Sequence, residues 1–320
     1  MMIKYFPFIL INLLPITLMA QFGPVIQYEE PRVGMFTYAE GITLPAENAG
    51  YTLYLPKGNA KGTLLFFNSD RDTTAEIIPK ALKKDLALLF VTTGNQLEFL
   101  FADSSLAQLD RYIGDALKQH ELSKEKILLA GMSLAGTRAL KYAQYCHSGR
   151  SAHHIKPRAV VICDAPLDFI RFWQSCEKAE QLAFHYASAN EGRWVSNYVA
   201  INLGGRPEEI PHVYSEYSPF CYTYPREKKL EALSNIALRA YSEPDVHWWM
   251  ANRGKDYYDM NTIDAAALVN TLQVQGHKEA ELILTQDKGY RPNGQRHPHS
   301  WRIVDEEEMI DWFMAMLRRM

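Results

Sequence analysis

Cysteine is scarce in this sequence, with four in 320 residues. Small secreted domains held together by disulfides contain far more, so that class is excluded. Neither sign of charge is in large excess, because 34 Lys and Arg stand against 37 Asp and Glu. A nucleic-acid-binding domain would usually show a basic excess, and we expect no nucleic-acid partner. Repeats, low-complexity runs and Gly/Ser-rich linkers are also lacking, which excludes solenoids and flexibly tethered arrays.

The composition that remains is that of a sizeable globular protein. Hydrophobic residues make up 47% and charged residues 22%, which is ordinary usage for such a chain. The 18 Tyr and 6 Trp are somewhat numerous and indicate a lined cleft in addition to a core. The length suggests about two domains, although α/β folds of this size are often single domains.

The first twenty residues have the pattern of a secretory signal peptide. Lys4 precedes an apolar run from Tyr5 to Met19, and the small residue Ala20 ends it. The run is short for a membrane span and contains Pro7 and Pro15, which disfavours a permanent anchor. We therefore expect residues 1–20 to be removed, an exported protein that is periplasmic or secreted, and no membrane span after cleavage.

Export permits disulfides without requiring them. Cys163 lies in an apolar run typical of a buried strand, where a free thiol is expected. Cys176 and Cys221 flank one irregular segment, and their spacing leaves open whether they pair.

The rest of the chain alternates between strand and helix patterns. The predicted strands, mostly continuous apolar runs typical of a parallel sheet buried on both faces, are 51–55, 63–67, 86–91, 127–130, 159–163, 236–240 and 281–284. The predicted helices are 75–84, 106–119, 134–145, 264–275 and 306–317. This alternation predicts the α/β class, with a mostly parallel central sheet flanked by helices.

One segment interrupts the alternation. Residues from about 169 to 230 are rich in Tyr and Trp, with scattered Gly and Pro. Some sixty residues between two strands are too long for an ordinary loop, so we expect an aromatic-rich insertion, a lid or cap, over one end of the sheet. The strands resume after it, so residues 21–320 are predicted to form a single domain.

The most informative stretch is the junction between the predicted strand 127–130 and the helix that follows. Ser133 lies at this turn, between the small residues Gly131 and Ala135. A sharp strand-to-helix turn projects a serine hydroxyl from the sheet edge, and it needs small residues two positions to either side. A serine needs a neighbouring base to act as a nucleophile. The start of the helix offers the Leu134 N–H group to a developing oxyanion.

In these residues the chain resembles the α/β-hydrolase family, whose Gly-x-Ser-x-Gly elbow appears here as Gly131-Met-Ser133-Leu-Ala135. The departure is Ala135 in place of the last glycine, which adds one methyl group. The resemblance extends from about residue 50 to the C-terminus and implies an α/β-hydrolase fold. It also implies a catalytic triad in the chain order serine, acid, histidine.

The resemblance indicates where the acid and the histidine should be. The acid should follow a later strand, where Asp245 is the preferred residue, with Glu243 and Asp164 as alternatives. The histidine should precede the final helix, where His299 is preferred over His297.

Further site residues follow from position. The second oxyanion donor should be a backbone N–H after the strand 63–67, at Ser69 or Asp70. The predicted substrate-lining residues are Trp248, Trp249, Trp194 and Tyr217. His297 and His299 have no third ligand at suitable spacing, so we expect no metal and no cofactor.

These observations predict a secreted serine hydrolase that cleaves a small ester, or an amide, through an acyl-enzyme. A weaker resemblance runs through 203–209, Tyr214 and Ser218-Pro219 to prolyl-oligopeptidase-type hydrolases. It keeps an exopeptidase acting on short peptides as an alternative. A catalytically silent hydrolase-fold binding protein is the third hypothesis, and the oligomeric state stays open.

Overall fold

The computed structural model describes residues 23–32, 34–39, 42–68, 76–95 and 97–319. The predicted signal peptide 1–20 and the predicted oxyanion residues Ser69 and Asp70 lie outside this part of the chain. The strands are β1 (Val25–Glu30), β2 (Met35–Ala39), β3 (Ile42–Pro45), β4 (Ala49–Tyr54), β5 (Gly62–Phe66), β6 (Leu86–Thr92), β7 (Ile127–Met132), β8 (Ala159–Cys163), β9 (Ala237–Ser242) and β10 (Ala280–Leu284). The helices are α1 (Ile77–Lys83), α2 (Asp103–Gln119), α3 (Leu134–His147), α4 (Phe169–Leu182), α5 (Tyr186–Leu203), α6 (Pro211–Tyr217), α7 (Glu227–Glu231), α8 (Val246–Arg253), α9 (Thr262–Val274) and α10 (Glu306–Leu317).

The described strands form one eight-stranded sheet in the order β1-β4-β6-β5-β7-β8-β9-β10, beside a separate β2-β3 hairpin. From β6 to β10 every neighbouring pair is parallel, whereas β1 and β4 pair antiparallel at one edge. This arrangement confirms the predicted α/β class with a mostly parallel sheet.

The sheet is covered on both faces, which explains the continuous apolar runs of its central strands. One apolar cluster joins alternate strand residues to α2, α3 and α9. The cluster on the opposite face joins the intervening strand residues to α1 and α10. Strands β5 and β8 are buried along their whole length as a result.

Helices α4 to α7 lie between β8 and β9, in the interval where the aromatic-rich insertion is expected, and are called the cover below. Many of its aromatic residues pack into a cluster of their own, whose buried members are Phe99, Phe169, Trp173, Cys176, Val195, Tyr198, Val199, Leu203 and Tyr214. A buried lysine of α3, Lys141, donates from Nζ to the carbonyl oxygens of Phe99 and Tyr217, each at 2.9 Å. The cover is therefore joined to the sheet layer by both apolar and polar contacts.

The link between β8 and the cover is fixed by hydrogen bonds. The buried Asp264 of α9 accepts from the backbone N–H groups of Leu167 and Asp168, each at 3.1 Å. Arg171 donates to both carboxylate oxygens of Asp264 from the first turn of α4. Asp168 is the N-cap of α4, and one of its carboxylate oxygens accepts from the N–H groups of the first turn. Its second carboxylate oxygen accepts from Tyr222 N at 3.1 Å.

Two further features bear on the expectations from the sequence. All four cysteines are free thiols in buried positions, so Cys176 and Cys221 are not paired. Among the described helices, none is both long and apolar enough to cross a membrane.

Candidate active site

Ser133 occupies the sharp turn between β7 and α3. Its backbone has φ 54° and ψ −129°, a left-handed φ that L-residues rarely adopt. The Ser133 N–H donates to the Cys163 carbonyl oxygen of β8 at 2.8 Å, and this bond fixes the turn to the sheet. Such local strain is typical of functional sites, where the surrounding structure maintains it.

The small residues around Ser133 have a steric cause. A Cβ atom placed on Gly131 would lie 2.3 Å from the carbonyl carbon and 2.4 Å from the carbonyl oxygen of Ala135. One placed on Gly136 would lie 2.8 Å from the Gly131 carbonyl oxygen. Ala135 itself is accommodated, half-buried against the main apolar cluster. The chain closes tightly across the turn at 131 and 136, and there it requires glycine.

His299 is paired with Asp164. The His299 Nδ1 atom lies 2.5 Å from Oδ2 of Asp164, which directly follows β8. Asp164 has a left-handed φ of 45°. Its N–H group donates to the Tyr241 carbonyl oxygen at 2.8 Å, and its carbonyl oxygen accepts from Asn261 Nδ2 at 2.9 Å. Burial lowers the pKa of His299, but the charge and hydrogen bond of Asp164 outweigh it and raise that pKa above its usual value. With Nδ1 engaged, Nε2 is the ring nitrogen available to a substrate or a serine.

The predicted contact between Asp245 and His299 is not present. Asp245 caps α8 by accepting from Trp248 N at 3.0 Å, and its Oδ2 accepts from Arg296 at 2.7 Å. Asp164 directly follows β8, the strand adjacent to β7, which leads to Ser133, whereas Asp245 lies in the loop after β9, one strand further along the sheet. The imidazole of His299 contacts the acid that follows β8. Of the three candidate acids, the one that contacts His299 is Asp164, the least preferred of them from the sequence, and not Asp245.

Glu243 is buried near the site but is engaged elsewhere. It accepts from the Thr285 hydroxyl at 2.8 Å and from the backbone of Lys288 and Gly289, and it pairs with Arg296 at 2.5 Å. Together these contacts fix the loop after β10 to the end of β9.

His297 is also placed structurally. Its Nδ1 bonds with the His299 carbonyl oxygen at 3.0 Å, and its ring packs 4.9 Å from Trp248 and 5.8 Å from Trp249. Burial lowers the pKa of His297 to about 4, helped by the positive charges of Arg291 and Arg253. A neutral His297 therefore supports the backbone on which His299 sits.

Ser133, Asp164 and His299 line one cavity of about 290 Å³ at the carboxyl ends of the parallel strands. The cover supplies one wall, through residues of α4 and α5 that include Phe172, Ser175 and Ser188. A crevice at the carboxyl ends of strands is where ligands bind in open α/β sheets. The cavity thus joins a strained serine to a paired histidine.

The predicted substrate-lining residues divide between cavity and cover. Trp249 lines the cavity. Trp248 packs edge-on against Trp249, with the two ring centroids 5.2 Å apart. Trp194 and Tyr217 instead pack against the cluster inside the cover. The sequence does not show which of these aromatic residues line the cavity, because an aromatic residue that faces the cavity and one that faces the interior of the cover give the same local pattern.

Leu134, the predicted oxyanion donor, is the first residue of α3. The first N–H groups of a helix have no partner within it, and they carry the positive end of the helix dipole. Leu134 directly follows Ser133 at the start of this helix, and its N–H group remains the predicted donor to an oxyanion.

The sequence reasoning missed several charged residues of the cavity wall: Glu191, Arg253, Lys255, Asp259 and Arg291. Two of them, Arg253 and Lys255, follow closely on the Trp248-Trp249 pair, which is the only signal that could have indicated them.

Comparison with solved structures places the fold. A carboxyl esterase from Tuber melanosporum superposes with a TM-score of 0.55 at 12% identity, covering 92% of this chain and 87% of that chain. An esterase from Pyrobaculum calidifontis gives 0.51 at 12% identity, covering 95% and 86%. A puromycin-hydrolysing peptidase from Mycobacterium tuberculosis gives 0.50 at 10% identity, and the match covers 92% of this chain but 40% of that one.

Together with the strand order and the elbow at Ser133, these similarities show that the chain has the α/β-hydrolase fold. No family model and no curated protein matches the sequence.

Proposed function

We propose that this protein is a serine hydrolase that cleaves an ester, or an amide, with Ser133 as nucleophile, His299 as base and Asp164 as the acid that orients it. The observation that carries the proposal is the hydrogen bond between His299 Nδ1 and Asp164, at a cavity that Ser133 also lines. Esterases and a peptidase among the structures with this fold support hydrolysis in general.

The first half of the reaction forms an acyl-enzyme. His299 Nε2 accepts the Ser133 hydroxyl proton while Oγ attacks the substrate carbonyl carbon. The carbonyl π electrons move to oxygen, and the Leu134 N–H donates to the resulting oxyanion. The imidazolium formed is stabilised by the Asp164 carboxylate at 2.5 Å.

Collapse of this intermediate expels the leaving group, which takes the proton from His299 Nε2. In the second half a water molecule gives a proton to His299 and attacks the acyl carbonyl carbon. The Ser133 oxygen then leaves with that proton, and the acid product is released.

The place of action is a separate part of the proposal. The pattern of residues 1–20 supports export, so the hydrolase would act in the periplasm or outside the cell. Its substrates would be small esters or short peptides that reach the cavity from solution.

Replacement of the nucleophile tests the proposal. Ser133→Ala should lower kcat on short 4-nitrophenyl esters by a factor of about 10⁶, the scale seen for coupled triads. A fluorophosphonate probe should label the wild type and not this variant. Ser104→Ala, an exposed change on α2, is the matched control and should label as the wild type does.

Two outcomes would change the conclusion. A Ser133→Ala variant that keeps its esterase activity would overturn the nucleophile. A wild type that neither labels nor hydrolyses esters or aminoacyl amides would favour the silent binding protein. Comparison of acyl esters with aminoacyl amides separates the esterase from the exopeptidase.

A further inference from the structure

The charges on the cavity wall are unevenly matched. Three of its acids have cationic or donor partners: Asp164 pairs with His299 at 2.5 Å, Glu243 with Arg296 at 2.5 Å, and Asp259 with Lys178 at 2.8 Å. Each of these three acids therefore already has a hydrogen-bonding or ion-pair partner in the protein.

Three cations of the same wall have no acidic partner among the described residues: Arg253, Lys255 and Arg291. Arg253 donates to the His185 ring, 3.0 Å from Nε2, and lies 5.5 Å from the Trp248 ring centroid. Lys255 Nζ lies 5.8 Å from the Trp249 ring centroid. Neither an imidazole nor an aromatic ring supplies a negative charge to these cations.

One acid of the wall, Glu191, likewise has no cationic partner within salt-bridge distance among the described residues. The wall therefore presents three cations and one acid that have no ion-pair partner among the described residues.

The cations also influence the two histidines electrostatically. Arg291 and Arg253 both lower the pKa of His297, whereas at His299 the charge of Glu191 raises the pKa and that of Lys255 lowers it. Their charges therefore reach the part of the cavity where the reaction would take place.

We propose that the cavity takes an ester that carries a carboxylate beside the scissile bond. This inference rests on the proposed function and specifies the substrate class. Arg253 and Lys255 are half-buried, so their hydration is reduced, and a substrate carboxylate supplies the counter-charge. Arg253 offers the planar donor pair that suits a carboxylate, and Lys255 offers a compact charge.

Matched ester pairs test this. One arm compares 4-nitrophenyl hydrogen glutarate with 4-nitrophenyl pentanoate, so that the carboxylate lies on the acyl side. The other arm compares 4-acetoxybenzoate with phenyl acetate, so that it lies on the leaving group. We expect kcat/KM to favour the charged member by about tenfold or more in one arm, since a charge-assisted hydrogen bond contributes at least that factor.

Variants assign the preference to the cavity. Arg253→Gln and Lys255→Gln should each reduce the ratio of kcat/KM for the charged over the uncharged ester by about tenfold. Glu191→Gln should raise that ratio, because it removes an opposing charge. Lys57→Gln, a change at an exposed turn after β4, is the control and should leave the ratio at the wild-type value.

Binding of glutarate, measured by calorimetry against pentanoate as control, detects the charge site without hydrolysis. Glutarate binding that weakens in Lys255→Gln, with no ester hydrolysed, supports the anion site while the proposed function fails. Hydrolysis of both members of each pair at equal rates, with no glutarate binding, overturns the inference while the serine hydrolase stands.

Discussion

At the scale of single residues, the identity of the acid that orients His299 is the assignment to test first: the structure pairs His299 with Asp164, whereas the sequence favours Asp245. An amide at position 164 keeps the shape of the side chain but cannot stabilise an imidazolium, and it favours the wrong imidazole tautomer. Asp164→Asn should therefore lower kcat on 4-nitrophenyl esters by a factor of about 10⁴, as for the acid of a comparable triad.

Asp245→Asn is the matched control, because asparagine caps α8 as well as aspartate does. We expect it to retain most of the activity, at the cost of the Arg296 ion pair. If Asp245→Asn lost activity and Asp164→Asn did not, the acid would be Asp245 and the paired geometry of His299 would be irrelevant to turnover.

The same pair sets a pH dependence. His299 must be neutral to accept a proton, so kcat/KM falls as the pH falls through its pKa. The Asp164 charge and hydrogen bond raise that pKa against burial, and Asp164→Asn removes both. The acid limb of the profile should therefore move to lower pH in the variant, measured as kcat/KM against pH on a reactive ester.

His297 is not the source of this acid limb, because burial lowers its pKa to about 4 and the ring is therefore neutral at pH values well above that. An acid limb at the same pH in wild type and Asp164→Asn would contradict the assignment of the limb to the His299–Asp164 pair.

The residues of the site were predictable to different degrees. Ser133, Leu134 and their small neighbours are local in sequence, and the turn imposes their types directly. The partner of His299 lies 135 positions away, so sequence order alone does not choose between acids that end neighbouring strands. Asp164 did carry a signal in the sequence, because it directly follows the buried strand β8.

At the scale of elements, the strand–turn–helix unit of β7 and α3 holds Ser133, the proposed nucleophile. Gly131→Ala would place a methyl group 2.3 Å from a backbone carbon of Ala135, where no flexible side chain can yield. We expect a loss of about 1–3 kcal/mol in the free energy of unfolding. We also expect kcat to fall about 100-fold, as a displaced nucleophile requires.

Gly58→Ala provides the comparison, since nothing lies within 4 Å of a Cβ at that position. Denaturant unfolding and kcat on one ester check both variants. A Gly131→Ala variant as stable and active as Gly58→Ala would show that the turn at Ser133 relaxes without consequence.

The elements themselves were predicted with uneven success for physical reasons. The central strands and their helices have apolar patterns set by burial on one or two sides, and these were found within a few residues of their bounds. Strand β1 was missed because its residues alternate little and four of its six are exposed at the sheet edge. Helix α8 was missed because none of its residues is buried.

At the scale of the whole molecule, the four cysteines give a direct test. Each side chain is buried and unpaired, in the sheet, in α3 or in the cover. A thiol reagent such as Ellman's should find almost no reactive thiol in the native protein, and four after denaturation without reductant. Two thiols after denaturation would show a disulfide, with Cys176 and Cys221 as the pair left open by the sequence.

The segment between β8 and the cover has a consequence for ligand recognition. Asp264 and Arg171 fix the backbone that joins Asp164 to α4, and Asp168 ties it to the backbone of Tyr222 in the stretch between α6 and α7. The wall that the cover contributes is thus set when the chain folds, and its conformational entropy is already lost before a ligand arrives. Preorganisation of this kind strengthens binding without adding a single contact.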